Sequence, residues 1–328
     1  MPGFPRGTLL FLILLGCLNG FGATLAGREV LSLRKVAASL GMEVRVLEKG
    51  ERWELRSQWT RLRFEKDRRD LLLNGRRVFL GFPVAADKGR LYLAEADYRG
   101  LLQPILTPQI FPAPDRPRRI VLDPGHGGKD PGARRPRLGL IEKSLTLDLA
   151  KRLARRLRAE GYEVTLTREN DRFLPLPERA RIANQLRADL FLSLHMNASE
   201  KTEVEGVESY VLTPSGQPST GRLRMVAADR KSHRGNGQDA RNTLLGFYVQ
   251  RALVRALPTP DRGLKRARFA VLRDLEMPGA LIEAGFISHA KEGRNLGSAG
   301  YRDRVADAIT EGVLAYARTV DRLRKQQR

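Results

Sequence analysis

Two histidines and two carboxylates, set in four short blocks, carry the chemistry this chain could perform. The blocks are Asp123-Pro124-Gly125-His126-Gly127-Gly128, Ile141-Glu142-Lys143, Ser193-Leu194-His195-Met196-Asn197 and Ile282-Glu283-Ala284-Gly285-Phe286. Three imidazole or carboxylate donors around an open position are the usual supply for a catalytic zinc, and a fourth group can serve as general base. The chain has four histidines, and two of them lie in these blocks. A hydrolytic zinc enzyme is the leading reading.

Each residue also has a plainer explanation. Glycines flank His126 and let the backbone turn sharply beside a bound ion. A lone histidine after a strand is more often a satisfied surface or core residue, but here a second histidine recurs in the same strand-end context. Glu142 opens a helix, where a carboxylate commonly does no more than meet the macrodipole. Taken alone, that account would suffice for Glu142. His195 ends an apolar strand and is followed by Asn197, a candidate donor behind the ligands. Glu283 ends another apolar strand, where burying a carboxylate is costly unless it binds metal or handles protons. His233 and His289 read as solvated.

The elements that must position these groups lie in residues 118–320, where strands and helices alternate. Arg119–Leu122, Tyr162–Thr167, Asp189–Leu194, Val207–Leu212 and Ala280–Ile282 read as strands. Leu145, Leu149, Leu153 and Leu157 recur at helical spacing, and 177–186, 242–257 and 301–316 read as further helices. The alternation predicts an α/β fold, a sheet with helices on both faces, whose sites gather at the carboxyl ends of strands. His126, His195 and Glu283 each follow a strand candidate.

Residues 27–106 predict a small α+β accessory domain of short strands, with a helix over 34–40, a helical stretch over 95–102, and Asn74-Gly75 as a hairpin turn. Residues 107–117 contain Pro108, Pro112, Pro114 and Pro117 and read as a stiff linker. Residues 321–328 read as a basic C-terminal tail. Between Leu212 and Asn242 lies a polar, glycine-rich and basic stretch, expected to be a flexible or substrate-gripping loop. The second unit is expected to carry hydrolysis by itself.

At the N-terminus Arg6 precedes the apolar run Leu9–Leu15, followed by small residues. Residues 1–26 read as an export signal cleaved near Ala26, with an uncleaved anchor as the alternative. The one cysteine, Cys17, lies inside that segment, so no disulfide is expected downstream. Leu14-Leu15-Gly16-Cys17 also has the look of a lipoprotein cleavage box. Membrane contact is expected only through such a lipid or an uncleaved signal. The net charge of +22 favours an acidic polymer or an anionic surface. An export signal and the absence of a recognised motif argue against nucleic acid.

The second unit resembles the zinc-dependent N-acetylmuramoyl-L-alanine amidases, the Amidase_3 family of bacterial cell-wall hydrolases. The resemblance rests on Ile120–Ala133, Thr167–Asp171, Glu178–Asn184, Ser193–Ala198, Arg262–Lys265, Val271–Arg273 and Pro278–Ser288, in that order. It implies zinc ligands His126, Glu142 and His195, with Glu283 as the catalytic carboxylate. It also implies a mixed, largely parallel sheet flanked by helices, as in zinc carboxypeptidase-like folds, and an exported enzyme of the periplasm or envelope acting on peptidoglycan. Some members hold an inhibitory acidic residue on the zinc from the region of 213–241; here Asp229 and Asp239 are the acids of that stretch. A protein activator is unknown. The first unit loosely resembles the small domain named after the N-terminus of copper amine oxidases, but with no His and no Cys it implies no copper. The competing readings are a carboxypeptidase or endopeptidase of similar fold, and a non-catalytic wall-binding protein.

Overall fold

Residues 23–25 and 27–328 are described by the computed structural model. The expected export segment, Cys17 and the cleavage point near Ala26 lie outside them. Among the described residues no helix is long and apolar enough to cross a membrane.

Short runs of alternating residues build the first part of the chain: β1 (Ala23–Leu25), β2 (Arg28–Ser32), β3 (Glu43–Glu48), β4 (Arg52–Arg56), β5 (Arg61–Glu65), β6 (Asp70–Leu73), β7 (Arg76–Phe79), β8 (Ala85–Asp87) and β9 (Arg90–Ala94). Helix α1 (Leu33–Ser39) starts where Ser32 accepts the Lys35 N–H. Asn74 and Gly75 turn with φ of 49° and 78°, the left-handed pair that a tight hairpin needs. The helix expected over 95–102 is longer and changes pitch: α2 (Glu95–Asp97), a π-turn over Tyr98–Leu102, and α3 (Gln103–Leu106).

The second part contributes β10 (Arg119–Pro124), the short ladder of β11 (Arg134–Arg135) and β12 (Leu140–Ile141), α4 (Glu142–Ala159), β13 (Glu163–Leu166), α5 (Leu176–Gln185) and β14 (Leu190–Asn197). Then follow β15 (Val207–Leu212), α6 (Asp239–Ala256), β16 (Asp261–Ala267), α7 (Ala270–Arg273), β17 (Gly279–Phe286), α8 (Ala290–Gly297) and α9 (Ala299–Gln326). Strand β16 escaped the sequence reading because Leu264 is its one large apolar residue; its pairing partners make it a strand.

Eleven of these strands form one mixed α/β sheet in the order β13-β10-β14-β17-β15-β16-β7-β6-β5-β4-β3, and β1-β2-β9-β8 form a second, smaller sheet. Strands β13, β10, β14 and β17 are parallel, and β15 runs antiparallel to β17. One face packs Ile120, Leu122, Leu192, Leu194 and Ile282 against leucines of α4 and the apolar side of α9. The other buries Val121, Phe191 and Leu281 with Ala180 of α5 and Leu272 of α7.

The sheet crosses from the first unit into the second. Strand β7 pairs in parallel with β16 at Val78 and Leu264. Beside that seam the Arg77 N–H donates to Asp261 (2.9 Å), and buried Asp97 accepts the N–H groups of Gly81 and Phe82. Asp97 also faces the buried Arg266 guanidinium at 3.7 Å. Residues 107–117 take a 3-10 turn at Pro108–Ile110 and then run along α9, where the Gln327 side chain bonds Ala113 and Phe111. The expected C-terminal tail is instead the last turns of α9. Val320 and Leu323 are buried there at helical spacing, so the helix continues through the basic residues.

Candidate metal centre

Strand β10 delivers a buried carboxylate and then a sharp turn. Asp123 accepts the hydroxyls of Thr167 (2.6 Å) and Ser193 (2.8 Å) and pairs with Arg179 (2.8 Å). Arg179 continues to the carbonyls of Pro124 and His126, both 2.9 Å. Arg168 bonds the carbonyls of Pro124, Gly125 and Lys143. Two buried guanidiniums thus fix the turn from several sides, and they hold His126 at a φ of 62°, a conformation costly for a side chain with a Cβ. A side chain at Gly125 would collide with the His195 ring. At Gly132 a Cβ would lie 2.5 Å from Glu142 Oε2.

Glu142 opens α4 and is buried. Its Oε2 accepts the Ala133 N–H (2.8 Å) and its Oε1 the Met196 N–H (3.0 Å). That same Oε1 lies 3.0 Å from His126 Nε2 and 3.1 Å from His195 Nδ1. One donor atom from each of the three residues falls within 4.8 Å of the others, a cluster that could hold a metal ion. A tetrahedral ion with bonds of about 2.0–2.1 Å needs donors roughly 3.3 Å apart, so a small spread of these side chains would accommodate it. Asp130 Oδ2 sits 2.8 Å from His126 Nδ1, which places the ring proton there and leaves Nε2 as a donor atom. Burial opposes charge on Glu142, but the two imidazoles outweigh it and hold the carboxyl well below its usual range. Burial likewise lowers the His126 pKa, and Glu142 and Asp130 reverse that to a net increase.

Glu283 stands beside this cluster. Strands β14 and β17 bring it level with His195. The residue is partly accessible, yet its Oε2 is buried with no hydrogen-bond partner. Burial first, then the charges of Glu142 and Glu208, push its pKa well above the ordinary carboxylate value against the pull of Lys265.

Glu208 is opposite Glu283 on β15 and has the contrary environment. It accepts from Asn197 (2.8 Å), Tyr210 (2.7 Å) and Arg262 (2.8 Å), and also pairs with Lys265. Despite burial, these cations and donors keep it below its usual range. The sequence reading missed Glu208, Tyr210 and the partnership of Arg262 with Lys265. The available signal was the period of two in a strand over 207–212, which puts Glu208 on one face with Tyr210. Asn197, expected behind the ligands, supports Glu208 instead.

The remaining candidates lie elsewhere. His289, expected to be solvated, caps α8 by accepting the Glu292 N–H and lies 3.4 Å from Glu205. His233 is half-buried at the start of a 3-10 turn. Asp229 and Asp239 are both away from the metal cluster. Asp229 is buried between Arg222 (2.7 Å) and Arg268 (2.6 Å), while Asp239 opens α6, where burial raises its pKa to about 6. Arg268 also bonds the carbonyls of Pro214 and Gln217. The expected flexible loop is therefore braced: buried guanidiniums satisfy its carbonyls where it has no apolar stripe to pack.

The sequence profile of the N-acetylmuramoyl-L-alanine amidases matches residues 120–315, more than half of the chain. The chain belongs to this amidase family. All four residues of the candidate centre fall within the amidase match, which begins in β10 and ends in α9. Among relatives, the chain is 37% identical over 199 residues to the amidase LytC of Bacillus subtilis, a match covering 61% of this chain and 35% of that protein. It is 32% identical over 220 residues to the amidase AmiA of Escherichia coli, covering 61% and 76%. The crystal structure of an N-acetylmuramoyl-L-alanine amidase from Clostridium difficile 630 superposes with a TM-score of 0.52 at 30% identity, covering 62% of this chain and 97% of that one. The amidase AmiC2 of Nostoc punctiforme gives 0.51 at 32% identity, covering 61% and 97%. The amidase fold thus accounts for the second unit, and β1–β9 lie outside the residues matched by the family profile.

Proposed function

We propose that the protein hydrolyses the amide between N-acetylmuramic acid and L-alanine in peptidoglycan, with a zinc ion held by His126, Glu142 and His195 and with Glu283 as general base. The observation that carries this reading is the convergence of those three donors beside a carboxylate whose buried oxygen has no partner, inside the segment matched to the amidases. When bound, zinc supplies an acidified water and polarises the scissile carbonyl.

The chain's own residues do the rest. Asp130 orients His126, and the Met196 and Ala133 N–H groups orient Glu142. Glu283 takes a proton from the attacking water and returns one to the departing amine of L-alanine as the C–N bond breaks. Its raised pKa makes it a stronger base than an ordinary carboxylate. Glu208 cannot share this task, because its oxygens are already occupied by cations and donors. The sequence's export signal and strong positive charge suit an enzyme of the periplasm or envelope acting on an acidic wall polymer.

Mass spectrometry of muropeptides after digestion of purified sacculi is the test. Free stem peptides beginning with L-alanine, together with peptide-free glycan, are expected. Products cut only within the stem would overturn the assignment in favour of a peptidase.

A further inference from the structure

The sheet face that carries His195 and Glu283 continues beyond the amidase strands. Glu283 is level with Glu208 on β15, and Tyr210 of that strand is level with Lys265 on β16. Lys265 Nζ lies 5.6 Å from the centroid of the Phe79 ring on β7. From there the face passes through Arg77, Leu72, Arg63, Glu54 and Arg45, successive partners across β7 to β3. The residues between them, Val78, Leu71, Leu62, Phe64 and Leu55, point the other way and are buried. Arg45, Arg52, Arg61 and Arg63 on the continued face are exposed.

Strand direction fixes which end of this face lies near the centre. The carboxyl end of β17 adjoins the amino end of antiparallel β15, hence the amino ends of β16 and β7. Three antiparallel steps then lead to the carboxyl end of β6, the amino end of β5 and the carboxyl end of β4. The turn joining β4 to β5 is therefore at the same end of the sheet as Glu283. Arg56 and Arg61 pair across the ladder just before it. Trp59 stands in the turn at 80% exposure, while the other tryptophan, Trp53, is buried.

Neighbouring arginines on the face are neutralised: Arg52 by Glu48 (2.8 Å), Arg63 by Glu54 (2.8 Å) and Arg77 by Asp70 (3.3 Å). Among the described residues no carboxylate pairs with Arg56 or Arg61. A single exposed apolar residue means little by itself. An open indole in the turn that joins Arg56 to Arg61, two guanidiniums without carboxylate partners on a sheet face continuous with the catalytic centre, has the chemistry to stack on a sugar ring and hold carboxylates.

We propose that Trp59, Arg56 and Arg61 form a second contact for the glycan strand, holding the polymer whose stem peptide lies at Glu283. Five strand spacings separate β5 from β17, or ~24 Å, so the contact engages a polymer and is beyond the reach of one disaccharide-peptide. Sheet twist of roughly 20° per strand makes the path between them curved. This inference rests on peptidoglycan being the substrate.

The test uses the full chain with Trp59 as reporter, titrated with soluble, uncrosslinked glycan strands that retain their stem peptides. A saturable change in tryptophan emission is expected, and its loss in Trp59→Phe. The Arg56→Ser/Arg61→Ser double variant should raise the midpoint about tenfold and slow release from sacculi, with melting temperature and turnover of a monomeric disaccharide-peptide unchanged. An Arg251→Ser/Arg255→Ser double variant removes the same charge from the exposed side of α6 and should leave the midpoint in place. No emission change, equal shifts in both double variants, or a response to phosphatidylglycerol vesicles but not to glycan would each overturn the proposal. Failure of the amidase reading is separately visible, as absence of turnover on the monomeric substrate by the unmodified protein.

Discussion

At the scale of single residues, the two carboxylates beside the histidines are distinguishable by experiment. His126→Ala and His195→Ala should each lose most of the metal, since a three-ligand site cannot spare one. Glu283→Gln should keep both metal and fold while activity falls by about 10²–10⁴-fold, the usual worth of acid–base assistance. Metal analysis and muropeptide release on Glu142→Gln and Glu283→Gln decide the roles. If Glu142 were the base and Glu283 the ligand, metal would be lost in the second variant and retained in the first. The unpartnered oxygen of Glu283 also predicts a stability effect. A carboxyl whose folded pKa is raised destabilises the fold increasingly as pH rises above its unfolded value of about 4.3, up to its folded value. Glu283→Gln should therefore stabilise the metal-free protein at neutral pH by on the order of 1 kcal/mol, and the gain should vanish in melts below about pH 4. An equal gain at both pH values would contradict it.

At the scale of elements, the turn after β10 depends on cations the sequence reading gave no role. Arg179→Ala would leave Asp123 buried without its guanidinium and release the His126 carbonyl. A loss of about 3–5 kcal/mol is expected in denaturant unfolding, the cost of breaking a buried pair, together with weaker metal retention. Most strands and helices were legible because their apolar residues recur at period two or 3.6, and the Asn74-Gly75 hairpin because its turn chemistry is local. Strand β16 was not, since one leucine in a basic heptamer carries no periodicity. Nor was Glu208, whose meaning depends on cations from a strand more than fifty residues downstream.

At the scale of the whole molecule, the shared sheet bears on how the two units can be separated. All four candidate residues lie after residue 118, so the proposed chemistry belongs to the second unit. Its fold, however, closes β16 against β7 and pairs Arg266 with Asp97. Deletion of residues before 118 should expose the β16 edge and strand Arg266, which predicts a lower melting temperature and self-association. A monodisperse truncation that melts with the full chain would show the seam to be dispensable. The overall charge of +22 predicts that sacculus binding weakens steeply with salt as the Debye length shortens from about 10 Å at 0.1 M to about 3 Å at 1 M. Sedimentation with sacculi across that range measures it, and salt-independent binding would remove the electrostatic account.

The sequence by itself determined the candidate residues, their strand-end settings and the α/β character of the second unit. Residue type, spacing and periodicity are local properties, and they survive in a string. Tertiary structure alone decided that Glu142 Oε1 meets both imidazoles, and that Glu208 is satisfied while Glu283 is not. It also decided that two apparent units share one sheet, because a β-ladder is made between backbones distant in sequence, with no residue pattern required at the seam. The electrostatics follow from the same cause. A carboxylate's pKa is set by which charges and dipoles surround it after folding, and for Glu283 those arrive from α4, β15 and β16.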